Sequence, residues 1–157
     1  RTAEAARLAA SAGLPLVIHQ HAYSMLDRRL ESDAGPVCQR HGLGMIAFCP
    51  LAQGLLTEKY LQGVPEGSRA QDPDGFLKPS AVTDQTVARV RRLHELARAR
   101  GQSLARMALA WVLRREEVAS ALIGASRPAQ IEENVQALED PPLTREELGE
   151  IESALAA

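Results

Sequence analysis

The clearest chemical signal in the sequence is the run Gly124-Ala125-Ser126-Arg127, which directly follows an apolar segment. Small residues let the backbone approach a ligand closely, and the first turn of a following helix offers free N–H groups and a positive dipole end. Ser126 adds a hydroxyl, which we expect to cap that helix, and Arg127 adds a planar guanidinium. The run therefore predicts a pocket for a phosphate monoester.

Three polar residues follow this run at helical spacing: Gln130, Glu133 and Asn134. Because residues three and four positions apart share a helix face, these side chains could together read the edge of a purine. The alternative interpretation is an ordinary capped helix with a polar surface. The sequence contains no GxGxxG turn and no Walker loop, so it does not predict a Rossmann-type nucleotide site.

Candidate residues also follow two other apolar segments. Gln20 offers a donor and an acceptor, which suits an amide-bearing ligand, although such a residue also satisfies loop backbone. Phe48 can offer its ring to a flat ligand, but taken alone it fits a core position better. Lys59 and Arg69 bracket a loop rich in Gly and Pro, where cations suit phosphate groups or a solvated surface.

Neither the histidines nor the cysteines form a recognisable metal or redox motif. His19 and His21 would share one face of a strand, but a third ligand is not at hand in the nearby sequence, so we predict no metal site. Cys38 and Cys49 are too far apart for a CxxC element. They could form one disulfide if the fold brought them together, but we expect two free thiols in a reducing cytoplasm.

The hydrophobic pattern predicts an α/β fold. Short apolar segments near residues 16–20, 44–48 and 118–123 are typical of buried strands. Helical patterns occupy residues 2–12, 34–41, 84–100, 104–115, 127–138 and 145–154, with Ser103 and Thr144 as caps. Residues 50–79 form a long loop in which only 55–61 are briefly helical. Alternating strands and helices indicate a parallel sheet, whose ligands bind at the carboxyl ends of the strands.

Composition indicates one ordinary globular domain of 157 residues, of which 45% are hydrophobic and 24% charged. The longest strongly apolar run, residues 107–113, is too short to span a membrane. A net charge of −2 argues against nucleic-acid binding. The arginines of the helix at 84–100 keep that alternative open, but they are spread around the helix: Arg89, Arg91, Arg92, Arg98 and Arg100.

The motifs taken together resemble the aldo-keto reductase superfamily. The segments that carry the resemblance are 20–24, 46–60, 103–113 and 122–127, with Gln130, Glu133 and Asn134. They are most similar to the branch of bacterial glyceraldehyde-3-phosphate-type reductases and potassium-channel β subunits. The resemblance implies the C-terminal half of a (β/α)8 TIM barrel, with parallel strands six to eight and their helices. Residues 1–157 would then form a single partial domain that lacks the N-terminal half.

The resemblance also implies an NADP(H) site. Gln20 would contact the nicotinamide carboxamide and Phe48 would stack on the nicotinamide ring. The path of the pyrophosphate would be lined by Cys49, Pro50, Leu51, Ala52 and Gln53. Cys49 departs from the serine that the family usually has, and a thiol is a weaker hydrogen-bonding group than a hydroxyl.

The phosphate and adenine ends of the cofactor are implied by the same resemblance. Lys59 and Arg69 correspond to the loop cations of the family. The 2′-phosphate would be held by Gly124, Ser126 and Arg127, and the adenine end by Gln130, Glu133 and Asn134.

No position of this chain matches the family's catalytic Asp, Tyr, Lys and His, so we name no catalytic residue. The resemblance implies a cytoplasmic NADPH-dependent oxidoreductase that reduces small aldehydes or ketones to alcohols, with this chain inactive alone. The alternative is a β-subunit-like protein that senses NADP(H) without turnover. A half barrel has two open sheet edges, so we also expect copies of the chain to associate.

Overall fold

The protein is a three-stranded parallel sheet with helices. The structure is a computed structural model that describes residues 1–68, 70–72 and 74–157. Strands β1 (Ile18–Ala22), β2 (Gly44–Phe48) and β3 (Val118–Leu122) lie in that order and all pair in parallel. The predicted parallel sheet is confirmed. The first strand was predicted two residues too early, because β1 pairs in register only from Ile18, which faces Gly44.

Seven helices of the described chain accompany the sheet. They are α1 (Thr2–Ser11), α2 (Arg29–Ser32), α3 (Gly35–His41), α4 (Asp84–Ala99), α5 (Leu104–Leu113), α6 (Pro128–Val135) and α7 (Arg145–Ala156). Short 3-10 turns occupy Ala52–Gly54, Glu58–Tyr60, Pro79–Ala81 and Gln136–Leu138. None of the helices formed by the described residues has the length and apolar character that crossing a membrane requires.

Side-chain caps fix the beginnings of three helices. The hydroxyl of Thr83 accepts from Thr86 N, that of Ser103 from Arg106 N, and that of Thr144 from Glu147 N. Two of these caps, Ser103 and Thr144, were expected from the sequence. The expected cap by Ser126 is wrong: α6 begins one residue later, and Arg127 occupies its N-cap position.

The two faces of the sheet have different surroundings. Met45 and Ala47 of β2 are buried on the face that packs into the core. On the opposite face Ile18 is 43% exposed, Phe48 37% and Leu122 46%. The expectation of buried strands is therefore wrong for the face that carries Ile18, Phe48 and Leu122, because the helices cover only the other side of the sheet.

Trp111 of α5 is the largest fully buried side chain of the core. The ring of Tyr23, at the end of β1, lies 5.2 Å from the Trp111 ring between centroids. The guanidinium of Arg114 lies 3.7 Å over the Trp111 ring and also donates to the Tyr23 hydroxyl at 3.1 Å. Such cation–π and aromatic contacts tie α5 to the carboxyl end of β1.

Glu31 of α2 completes this polar network. Its carboxylate accepts hydrogen bonds from the Tyr23 hydroxyl at 2.8 Å and from Arg28 at 2.8 Å. Burial alone would raise the pKa of Glu31, but the hydrogen bonds from Arg28 and Tyr23 outweigh it and hold that pKa below its ordinary value. Arg28 also pairs with Glu152, so the network links β1, α2 and α7.

The long loop between β2 and α4 has a small core of its own. Leu55, Tyr60, Ala70 and Leu77 are buried together under it. This second cluster explains how a segment rich in Gly and Pro adopts a defined path: its apolar side chains supply the burial that regular hydrogen bonding does not.

We predict that Glu31→Gln lowers the free energy of unfolding at pH 7 by about 1–2 kcal/mol, because it removes the charge from a carboxylate that accepts three hydrogen bonds, two from Arg28 and one from Tyr23. The pKa of Glu31 is lowered by folding, so its stabilisation is present above the unfolded pKa of about 4.3 and is lost as pH falls through the folded pKa. Urea unfolding at pH 7 and pH 3.5 tests this, and the difference from wild type should shrink at the lower pH.

Glu4→Gln is the matched control for this prediction. Glu4 also pairs with an arginine three residues away, Arg7, but both side chains are largely exposed. Exposed pairs stabilise little, so this variant should unfold as the wild type does. A loss in Glu31→Gln that is equal at both pH values would contradict the assigned role of its carboxylate.

Candidate functional site

The carboxyl ends of the strands bring two distant loops together. Phe48, the last residue of β2, stands in register with Ala22 of β1 and Leu122 of β3. The loop that begins at Cys49 and the turn that begins at Ile123 therefore leave the sheet side by side. Parallel pairing alone imposes this proximity, because parallel strands end at the same edge.

The loop after β2 has an unusual backbone. Cys49, Ala52 and Gln53 have positive φ angles of 54°, 47° and 60°. This left-handed region is unfavourable for residues other than glycine, and such strain concentrates at functional sites. The side-chain amide of Gln53 donates to the Cys49 sulfur at 3.1 Å and bridges the bend. Cys49 and Cys38 are both free thiols, as the sequence predicted.

The turn after β3 is organised by Gln130. The Oε1 atom of Gln130 accepts from Ser126 N at 2.8 Å, from Ser126 Oγ at 3.2 Å and from Arg127 N at 3.2 Å. Gln130 is the third residue of α6, so its side chain reaches back to the backbone N–H of the N-cap residue Arg127, as in a capping box. Its carbonyl oxygen is engaged with the turn, so Gln130 shapes the segment that carries Ser126 and Arg127.

The two loops enclose a hollow of about 330 Å³ at the end of the sheet. Its walls come from the loop after β2 and from the turn after β3. The lining residues are Cys49, Pro50, Leu51, Gln53, Gly54, Thr57, Lys59, Leu122, Ile123, Gly124, Ser126 and Gln130.

A second hollow of about 300 Å³ continues from the first toward α5 and α6. The two share Leu51, Thr57, Lys59 and Gln130, and together they are called the groove below. The other lining residues of the second hollow are Glu58, Ser103, Leu104, Ala105, Arg127, Glu133 and Asn134. Cations, amides and hydroxyls along one groove are able to bind an elongated anionic ligand.

Most of the residues predicted from the sequence line this groove. Exceptions among the described residues are Gln20 and Phe48, which lie on the open face of the sheet, and Ala52, which packs against both core clusters. Arg69 lies outside the described residues.

Sequence reasoning missed several residues of the groove. Thr57 precedes the 3-10 turn Glu58–Tyr60, and its hydroxyl accepts from Lys59 N at 3.2 Å. Ser103 was recognised only as a helix cap, and its helix α5 brings Leu104 and Ala105 to the groove. Thr57 directly precedes Glu58, and a hydroxyl residue at that position is a capping signal that the sequence contains. The sequence does not predict that α5 approaches the groove, because this contact depends on long-range packing.

The paired histidines of β1 lie away from the groove, on the face that carries Met45. Their ring centroids are 5.9 Å apart. Burial, and then the neighbouring His21, lower the pKa of His19. Within the part of the chain that the structure describes, no three His, Cys, Asp or Glu side chains group as metal ligands.

Comparison with known proteins assigns the family. The family model described as "Aldo/keto reductase family" matches residues 1–156. The chain therefore belongs to the aldo/keto reductase family, and the resemblance found in its motifs is confirmed.

Curated relatives agree with this assignment. The L-glyceraldehyde 3-phosphate reductase of Escherichia coli O157:H7 is 46% identical over 147 residues, which are 91% of this chain and 42% of that protein. A putative voltage-gated potassium channel subunit beta of Schizosaccharomyces pombe is 37% identical over 127 residues, 78% of this chain and 37% of that protein. The chain thus spans about two fifths of the length of these relatives.

A solved structure has the same fold. The glycerol dehydrogenase of Gluconobacter oxydans superposes with a TM-score of 0.76 at 31% identity, over 93% of this chain and 44% of that one. The three parallel strands therefore belong to the TIM-barrel type of α/β fold, here as an open sheet.

We predict that Ala52→Val lowers the free energy of unfolding by about 1–3 kcal/mol, because a β-branched residue is strained at positive φ. Ala52→Gly should be close to neutral, since glycine adopts this conformation freely. The control is Ala88→Val in α4, which should lose less than about 1 kcal/mol. Urea unfolding measures all three, and equal losses for the two valine variants would contradict the strained backbone.

Proposed function

We propose that this chain is the NADP(H)-binding half of an oxidoreductase that reduces small aldehydes or ketones to alcohols. The observation that carries the proposal is the groove itself. It runs from the end of the sheet near Phe48 to Arg127, and its lining combines Lys59, Ser126 and Arg127 with amide and apolar groups. Each hollow is of the size found for small-molecule sites, about 300–1,000 Å³.

The residues of the chain fit the cofactor by their chemistry. Phe48 is partly exposed at the sheet end, so its ring is available to stack on the nicotinamide, with Gln20 on the same face for the carboxamide. The pyrophosphate would follow the loop of Cys49, Pro50, Leu51, Ala52 and Gln53, next to Lys59. The 2′-phosphate would meet Gly124, Ser126 and Arg127, with Glu133 and Asn134 toward the adenine.

These positions indicate which part of the reaction the cofactor supplies and which part the residues of this chain supply. Bound NADPH supplies the hydride that reduces the carbonyl carbon. The residues of this chain bind and orient the cofactor through cations, amides and the Phe48 ring. The group that protonates the carbonyl oxygen belongs to a part of the protein outside this chain, since no residue here matches the family's catalytic positions.

The open sheet supports the proposal that a further part of the barrel completes this one. Ile18 and Leu122 are exposed on a face that neither α4 nor α5 covers, and the relatives are more than twice as long as this chain. We propose that residues 1–157 correspond to strands six to eight of a (β/α)8 barrel. The two free thiols are in keeping with a cytoplasmic location.

The similarity to channel β subunits favours a second candidate function, an NADP(H) sensor without useful turnover. Steady-state assays of the full-length protein with NADPH and small aldehydes, including L-glyceraldehyde 3-phosphate, separate the two. Catalytic turnover supports the reductase. Tight NADPH binding without turnover supports the sensor, and absence of NADPH binding contradicts both.

We predict that the full-length protein binds NADPH more tightly than NADH, and that Arg127→Ala removes most of this difference. A charge-assisted hydrogen bond to the 2′-phosphate is equivalent to a change of about tenfold or more in affinity, and NADH lacks that anion. Fluorescence titration of both cofactors should therefore show weaker NADPH binding in the variant and nearly unchanged NADH binding.

Arg145→Ala is the matched control for this experiment. Arg145 is an exposed arginine at the start of α7, outside the described lining of the groove. Its removal changes the net charge by the same amount, so general electrostatic attraction is accounted for. Equal losses of NADPH and NADH affinity in Arg127→Ala would contradict the assignment of the 2′-phosphate to this residue.

A further inference from the structure

One face of helix α4 holds the turn that carries Lys59. The guanidinium of Arg91 donates twice to the backbone carbonyl of Leu61, from Nε at 3.2 Å and from Nη2 at 2.8 Å. One helical turn later, the buried Nδ1 of His94 lies 3.7 Å from Oε1 of Glu58. Both contacts join α4 to the 3-10 turn Glu58–Tyr60.

This turn is fixed at both of its ends. At its beginning the Thr57 hydroxyl donates to Gly54 O at 2.6 Å and accepts from Lys59 N. At its end Leu61 N donates to Glu58 O, and Arg91 binds the Leu61 carbonyl. A planar guanidinium that donates two bonds to one oxygen restrains direction as well as distance.

Lys59 is the residue whose position depends on this restraint. It is exposed at the surface and lines both hollows, and its ammonium lies 5.8 Å from the centroid of the Tyr60 ring in the same turn. The backbone of this turn therefore sets where both the Lys59 stem and its ring partner stand beside the groove. Arg91 is not among the described residues that line either hollow. Its effect on a ligand must therefore pass through the turn.

We propose that Arg91 is a positioning residue that holds Lys59 over the groove and thereby sets the affinity for the phosphates of the cofactor. This inference rests on the proposed function, because Lys59 is taken to contact an anionic ligand. Helix α4 supplies none of the described residues that line the groove, and the proposal gives this helix a role in ligand binding.

The test is a double-mutant cycle on NADPH affinity in the full-length protein, with Arg91→Ala, Lys59→Ala and the double variant. Arg91→Ala alone should weaken NADPH binding about threefold to tenfold, because the turn and the Lys59 ammonium that it carries become free to move. In the Lys59→Ala background the same change should have almost no further effect. Additive losses would overturn the proposal.

Two variants separate positioning from charge. Arg92→Ala removes the same charge from the neighbouring position and should bind NADPH as the wild type does. Arg91→Lys keeps the charge but not the two-bond geometry, and it should bind more weakly than wild type. If Arg91→Lys binds as the wild type and Arg92→Ala binds as Arg91→Ala, long-range charge explains the effect and the proposal fails.

Two further results complete the design. Urea unfolding of Arg91→Ala should show a protein that is fully folded at the assay temperature, and an affinity loss matched by unfolding would contradict the positioning role. A wild-type protein without NADPH affinity would overturn the proposed function together with this inference, whereas NADPH binding with additive losses overturns the inference alone.

Discussion

The parallel, in-register pairing of three short strands is the constraint on which the rest of the structure depends. Phe48 lies beside Ala22 and Leu122 because β2 pairs with both neighbours, and the loops after β2 and β3 must therefore leave from the same edge. Residues more than seventy positions apart, such as Cys49 and Ser126, come to line one hollow for this reason. The first hollow of the groove follows from that adjacency.

The helices secure this arrangement on one side of the sheet only. Trp111 and Tyr23 pack together in the core, and Arg114 links both through its ring contact and its hydrogen bond. Glu31 and Arg28 extend the network to α7 through Glu152. The uncovered face, with Ile18 and Leu122 exposed, is the side that a longer family member covers in our proposal. The packed core and the exposed apolar side chains thus lie on opposite faces of one sheet.

The groove combines a strained loop with several local restraints. Ala52 and Gln53 adopt positive φ angles, and the bridge from Gln53 to Cys49 holds the bend. Gln130 orders the opposite turn through three accepted hydrogen bonds. Preorganised donors lose less conformational entropy when an anion binds, which suits the cofactor-binding role that we propose.

Local patterns in the sequence were enough to predict the three strands, most helices and the caps at Ser103 and Thr144, because these depend on neighbouring residues. The parallel sheet was predicted from the alternation of strands with helices along the chain. Local patterns also selected Lys59, Ser126 and Arg127 as anion-binding candidates from residue type and position after a strand. Only the tertiary structure decided that Arg127 rather than Ser126 takes the N-cap position of α6, that Thr57 and Ser103 reach the groove, and that one face of the sheet stays open. Those outcomes depend on contacts between residues far apart in the chain, and the energies of such contacts are absent from any local pattern.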